Sequence, residues 1–151
     1  MKHLTTLLVI LFAGFYSHGQ NQQVKLNKMK GEILVLVNKY RVSQHLKPLK
    51  DNAIIAKEAE IHSKNMANGS VAFSHDGFDN RVDRIRNKVK DAYEFAENVA
   101  YGPKTAQKVV DNWLASPGHK KNIEGDFNLS GIGVAQNNSG RIYFTQIFAK
   151  K

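Results

Sequence analysis

A segment near the end of the chain has apolar residues at both alternating sets of positions. Arg141 to Phe148 reads RIYFTQIF. Side chains alternate between the two faces of a strand, and here one face carries Ile142, Phe144 and Phe148 while the other carries Tyr143 and Ile147. A strand that is apolar on both faces has to be covered on both. The segment therefore predicts the central strand of a sheet that lies between two further layers.

A second strand precedes this one. Gly131 to Ala135 reads GIGVA, and Asn137-Asn138-Ser139-Gly140 separates it from the last segment. Asn and Gly tolerate the left-handed backbone that tight hairpin turns need. The two segments therefore predict an antiparallel hairpin.

Helical periodicity fills most of the remaining chain. Apolar residues recur at helical spacing over residues 27–41. A second helix, which Asp51 or Asn52 can cap, has a buried stripe of Ile55, Ala59, His62 and Met66. A short basic helix follows, with Val82, Ile85 and Val89 facing inward. A further helix is predicted from Pro103 to the stop at Pro117-Gly118. With helices on two faces of an antiparallel sheet, we predict an α+β fold, a three-layer α-β-α sandwich with a central antiparallel sheet.

The start of the chain predicts export. Lys2 and His3 precede an apolar run from Leu4 to Tyr16, and small residues follow at Ser17 and Gly19. This order is typical of a cleaved signal peptide, and the run is shorter than the roughly 20 residues that span a bilayer. We predict a signal peptide at 1–19, a polar lead-in at 20–29, a single domain at 30–151, and a secreted or periplasmic protein.

The chain has no cysteine. An exported domain without disulfides depends on its core, or on its core and a metal, for stability. A metal would have to be bound by histidine, carboxylate or amide groups. No long apolar surface stripe predicts a dimer, so a monomer is expected.

The chain is basic, with a formal charge of +9 at pH 7. Such a charge attracts anionic polymers and membrane surfaces in a salt-sensitive way. The densest basic stretch, Arg81 to Lys90, contains acidic residues and is interpreted as a solvated helix face. Aromatic residues do not alternate with the bases, so nucleic-acid binding is not expected.

Three residues are candidates for chemistry. His75 and His119 each occur in a segment rich in Gly, Ser or Pro, and the carboxylate of Glu97 lies between them in an apolar segment. Burial of a carboxylate is costly without a partner, and two imidazoles would supply one. The same set could bind zinc or another divalent cation. By contrast, we interpret His62 as a core residue and His45 as an exposed loop residue.

The order of several motifs resembles one family. FSHDGF, AENVAYG, VVDNWLASPGHKKNI, GIGVA and YFTQIFAK follow one another as in the CAP superfamily, and the resemblance covers residues 30–149. That superfamily includes cysteine-rich secretory, antigen-5-like and plant pathogenesis-related proteins. The closest similarity is to its short bacterial branch without cysteines. The resemblance implies the α-β-α sandwich that the periodicity also predicts.

The resemblance also implies a cleft lined by two histidines and two glutamates, with the metal bound through the histidines. His75, Glu97 and His119 match three of these positions, and Ser116 occupies the position of the second glutamate. A hydroxyl is a weaker partner for a metal-bound imidazole than a carboxylate is. We therefore expect His75 and His119 as metal ligands of reduced affinity, Ser116 at the edge of the cleft, and Asn98 bonded to a nearby turn. Trp113 is expected in the core.

Three functions remain open. The first is a binding module without enzymatic activity, whose cleft takes a divalent metal or a small lipid-like ligand. The second is an extracellular hydrolase that uses a bound metal or an activated water, although the sequence has neither H-E-x-x-H nor G-x-S-x-G. The third is a basic protein that binds an envelope polymer or another anionic surface. No activity as an enzyme is established by these motifs.

Overall fold

The computed structural model describes the backbone of residues 4–151 and the side chains of residues 20–151. Five helices and four strands lie in this part of the chain. In order they are α1 (Leu4–Ser43), β1 (Lys50–Asp51), α2 (Ala53–Ala67), α3 (Phe78–Arg86), β2 (Glu94–Tyr101), α4 (Ala106–Ala115), α5 (Pro117–Glu124), β3 (Leu129–Gln136) and β4 (Ile142–Lys150).

The strands form one sheet in the order β1-β3-β4-β2. The predicted hairpin is present, because β3 and β4 pair antiparallel across the turn at 137–140. The central position predicted for the last strand is also confirmed, since β4 pairs with β3 on one side and with β2 on the other. The sheet departs from a purely antiparallel one only at the two-residue β1, which pairs parallel to β3.

The two faces of β4 belong to two separate cores. Ile142, Phe144 and Phe148 are buried against α1, α4 and α5, whereas Ile147 is buried against α2 and α3. The helices therefore cover the sheet on both sides, as the two apolar faces of this strand require. The three-layer α-β-α sandwich predicted from the sequence is confirmed.

Two glycines of β3 allow α2 to lie directly on the sheet. A Cβ at Gly131 would overlap backbone atoms of Ile55 and Ala56, and a Cβ at Gly133 would overlap the backbone of Ala59. The GIGVA motif thus permits a close approach of helix to strand that no larger residue would allow. This contact fixes the position of α2, from which His62 reaches the candidate site.

The first helix is longer than the periodicity predicted. The helix predicted for residues 27–41 is part of α1, and the segment 20–29 is helical too, with Leu26 and Met29 buried in the core. The predicted signal peptide, residues 1–19, lies outside the residues whose side chains are described and stays a prediction. Within the described part of the chain, none of the helices is both long and apolar enough to cross a membrane.

Two further boundaries differ from the prediction. Pro103 does not begin the next helix, which starts at Ala106 after Thr105 accepts a capping hydrogen bond from the backbone N–H of Lys108 at 3.2 Å. The helix α4 ends at Ala115, close to the predicted stop. Pro117, however, also begins a second helix, α5, where its fixed φ and missing N–H are tolerated. The strand β2, which carries Glu97, was not predicted.

Candidate functional site

Three elements bring the predicted site residues to one region. His75 lies in the turn before α3, Glu97 and Asn98 lie on β2, and His119 lies in the first turn of α5. Glu97 pairs with Ile147 of the central strand, so its backbone is held within the sheet. The turn that carries His75 ends at Gly77, whose φ of 74° is left-handed and suits glycine.

A hydrogen bond links His75 to Glu97. The Nδ1 of His75 lies 2.9 Å from Oε1 of Glu97. A carboxylate can only accept, so Nδ1 carries the hydrogen, and in the neutral form of the ring Nε2 then keeps its lone pair. The Glu97 side chain is 1% exposed, whereas the His75 side chain is 54% exposed. The carboxylate therefore orients an imidazole whose other side faces solvent.

Arg81 neutralises the buried carboxylate, and the sequence analysis missed this role. Its Nε donates to Oε2 of Glu97 at 2.9 Å and its Nη2 donates to Oε1 at 2.8 Å. The Arg81 side chain is only 6% exposed. A two-point contact of this kind is the strong geometry for a guanidinium and a carboxylate. The interpretation of Arg81 to Lys90 as a solvated helix face is therefore wrong for Arg81.

The same arginine also fixes the turn of His75. Its Nη1 donates to the carbonyl of Asp76 at 2.9 Å, and its Nη2 donates to the carbonyl of His75 at 3.3 Å. A signal for this residue exists in the sequence. Arg81 lies on the stripe shared by Phe78, Val82 and Ile85, which faces the protein interior, and a charge on such a stripe needs a buried partner.

His62 is a buried residue that contacts the turn of His75. It is 2% exposed, which confirms the prediction of a core histidine. Its Nε2 donates to the carbonyl of Ser74 at 3.0 Å, next to His75. Burial, and then the positive charge of Arg81, lowers the pKa of His62 below its ordinary value of 6.5. A neutral imidazole therefore holds the turn. His45 is exposed, as predicted.

His119 is half-buried in α5 rather than in an exposed turn. Burial, and then the charge of His75, lowers the pKa of His119 below 6.5. The side-chain amide of Asn98 donates to the carbonyl of His119 at 3.1 Å, and that of Asn122 donates to Oδ1 of Asn98 at 2.9 Å. Asn98 is fully buried. It joins β2 to α5 and thereby sets the position of His119.

Ser116 lies at the junction of α4 and α5. Its backbone carbonyl accepts from the N–H of Lys120 at 2.8 Å, and its hydroxyl makes no capping hydrogen bond. Among the described side chains, no hydrogen bond joins Ser116 to His75, Glu97 or His119. Its place at the edge of a ligand site stays a prediction. Trp113 is fully buried, as expected for a core residue.

Comparison with known proteins decides the family. The model of the cysteine-rich secretory protein family, named CAP, matches residues 34–148. This chain belongs to the CAP family. Because it has no cysteine, it falls with the cysteine-free bacterial members that its motifs resemble.

Individual relatives agree with the family match. The chain is 32% identical over 121 residues to YkwD, an uncharacterised protein of Bacillus subtilis, and the match covers 79% of this chain and 46% of YkwD. An extracellular protein of Bacillus anthracis that contains an SCP domain is 29% identical, with a TM-score of 0.69, over 83% of this chain and 41% of that one. A cysteine-rich secretory protein of Staphylococcus aureus is 25% identical, with the same TM-score of 0.69, over 83% of this chain and 39% of its own. The chain thus spans less than half the length of these relatives.

The donor set of this CAP domain limits what metal it could hold. Both oxygens of Glu97 already accept hydrogen bonds, so Glu97 is an orienting group for His75 rather than a free ligand. Within residues 20–151, no three His, Asp or Glu side chains are grouped so that they could hold one ion. Within these residues, the two predicted ligands His75 and His119 therefore have no third His, Asp or Glu side chain grouped with them. Two nitrogen ligands fit an open and weak divalent site, in which water or a ligand fills the other positions.

Proposed function

We propose that this chain is an exported binding module whose ligand is held by the imidazoles of His75 and His119. The observation that carries the proposal is the series of hydrogen bonds from Arg81 to Glu97 to His75. The series fixes the imidazole with Nε2 free and half-exposed. A histidine that donates one ring N–H to a carboxylate is the usual arrangement around a bound metal, because it sets the tautomer and the orientation of the ring.

Export is part of the proposal. The start of the chain has the order of a signal peptide, and the similar protein of Bacillus anthracis is described as extracellular. We therefore infer that the domain works outside the cytoplasm. The absence of cysteine then leaves its stability to the two cores on either side of the sheet.

A divalent cation such as zinc is the simplest ligand for this arrangement. His75 would use Nε2, with Glu97 and Arg81 behind it, and His119 would supply the second imidazole. The lowered pKa of His119 favours the neutral ring, which is the form that binds a cation. A bound cation would supply a positive centre for an oxygen atom of a larger ligand.

The geometry favours binding over hydrolysis. A general base needs a free lone pair within reach of the water that it activates. The two oxygens of Glu97 accept from Arg81 and His75, and the carboxylate is almost fully buried. Glu97 is therefore a positioning residue for His75 and is poorly placed to take a proton from water.

Calorimetric titration with zinc tests this proposal. We expect weak binding at pH 7.5 that weakens at pH 5.5, because protonation removes the lone pair that binds the ion. His75→Ala should abolish the heat. Glu97→Gln should weaken binding by about tenfold, since an amide orients the imidazole less well than a carboxylate.

The matched control is His45→Ala, because His45 is an exposed histidine in a loop remote in sequence from the site. Loss of the heat in His75→Ala but not in His45→Ala supports the proposal. Equal binding by the parent protein, His75→Ala and His45→Ala, or no heat from the parent protein at either pH, would show that these imidazoles do not form a zinc site.

A further inference from the structure

Three aromatic rings form a continuous surface feature, which we call the aromatic ridge. It consists of Phe73, Tyr101 and Tyr143. The rings of Phe73 and Tyr101 meet edge to face at 4.6 Å between centroids, and those of Tyr101 and Tyr143 stack at 5.9 Å. Phe73 is 44% exposed and Tyr101 is 47% exposed. Exposed aromatic residues in contact with one another mark a binding surface more often than isolated ones do.

The ridge continues from the region of the candidate site without sharing its residues. Phe73 lies two positions before His75, and Tyr101 lies four positions after Glu97 on the same face of β2. Tyr101 pairs across the sheet with Tyr143 of β4. The ridge therefore follows the sheet from the candidate site toward the hairpin between β3 and β4.

A basic groove adjoins the ridge at that end. Arg141 places its guanidinium 5.3 Å from the centre of the Tyr101 ring. The same arginine lines an open groove of about 520 Å³ together with Lys25 and Lys104. None of the described residues that line this groove is acidic. Arg141 thus belongs to both features.

The combination of an aromatic ridge and a basic groove is suited to binding an acidic polysaccharide. Pyranose rings present an apolar C–H face that packs on an aromatic ring. The three cations line a groove whose described residues include no acid, and such a groove attracts carboxylate groups that repeat along a chain. The rings contact one another, so the ridge offers an outer surface rather than slots into which bases could insert. From these contacts we propose that the ridge and groove bind an anionic polysaccharide.

Binding of a defined oligogalacturonate tests the proposal, with a neutral chitin oligosaccharide and an oligothymidylate of equal length as comparisons. We expect the oligogalacturonate to bind most tightly and its affinity to fall with salt. Tyr101→Ala and Arg141→Gln should each weaken it by about tenfold, through loss of the ring surface and of the shared cation. Arg141 is exposed, so its replacement tests the surface even where Tyr101→Ala reduces stability.

The controls are Tyr93→Ala and Arg86→Gln, which remove an exposed tyrosine and an exposed arginine outside the ridge and groove. Affinity within about twofold of the parent protein in both controls supports a defined surface. An equal loss in the controls would reduce the effect to net charge and overturn the proposal. Absence of binding, or tighter binding of the oligothymidylate, would overturn it as well.

Discussion

Arg81→Met is expected to destabilise the protein by about 3 to 5 kcal/mol, because it leaves the Glu97 carboxylate buried without a counter-charge. The Glu97 side chain is 1% exposed and takes two hydrogen bonds from this guanidinium. The turn of His75 would also lose the two donors that hold its carbonyls. The free energy of unfolding in urea, with the slope of the transition compared between variants, measures the loss.

Two further variants show whether the buried charge is the cause. Arg86→Met removes a half-exposed arginine from the same helix, and we expect a loss below about 1 kcal/mol. The double variant Arg81→Met with Glu97→Leu removes both charges and should recover most of the lost stability. A stability of Arg81→Met close to that of the parent protein would contradict the role given to this pair.

Gly131→Ala is expected to lower the free energy of unfolding by about 3 kcal/mol or more. Overpacking against a rigid backbone is among the most destabilising of small-to-large substitutions. The new Cβ would overlap backbone atoms of Ile55 and Ala56 in α2. Neither partner is the end of a flexible side chain, so the helix itself has to move away from the sheet. Thermal unfolding monitored by circular dichroism measures the effect.

Gly31→Ala provides the matched control for this substitution. Gly31 is exposed within α1, and a Cβ there would meet nothing within 4 Å. Alanine is the better helix former by about 1 kcal/mol, so this variant should be as stable as the parent protein or slightly more stable. If Gly131→Ala unfolded at the same temperature as Gly31→Ala, the proposed close approach of α2 to β3 would be wrong.

The sequence predicts those parts of the fold in which a short stretch of residues is enough to show how the segment must pack. The last strand is apolar on both faces, and only a central strand between two layers satisfies that pattern. Asp51 or Asn52 likewise predicts the start of α2. The cap is Asn52, whose side chain accepts hydrogen bonds from the N–H groups of Ile54 and Ile55. In both cases residues close in sequence contain the whole signal.

The strand β2 is not predicted from its own residues, because the burial of its polar residues depends on partners that are distant in sequence. Its centre holds Glu97 and Asn98, polar residues that are buried only because Arg81 and α5 satisfy them. Glu97 and Asn98 each interrupt one face of an otherwise largely apolar segment, so no period-two pattern identifies a strand. The role of Arg81 is missed for the same reason. Its charge predicts an exposed side chain, whereas its position on the apolar stripe of α3 predicts a buried one.

The position of His119 shows a different limit. Pro117-Gly118 after a long apolar helix predicts a stop, and a stop is present at Ala115. Proline is equally suited to the first position of a new helix, and α5 begins there. His119 therefore lies in a helix whose position is set by Asn98, a contact that no local pattern predicts.

Glu97, held by Arg81, orients His75 with its hydrogen on Nδ1 and leaves Nε2 of the neutral ring available for a ligand. A long-range proton–nitrogen correlation spectrum of isotopically labelled protein reports the tautomer of each imidazole directly. We expect His75 as the Nδ1–H tautomer in the parent protein and as a mixture of tautomers in Glu97→Gln. An Nε2–H tautomer of His75 in the parent protein, or the same spectrum for His75 in both proteins, would show that Glu97 does not set the tautomer of His75.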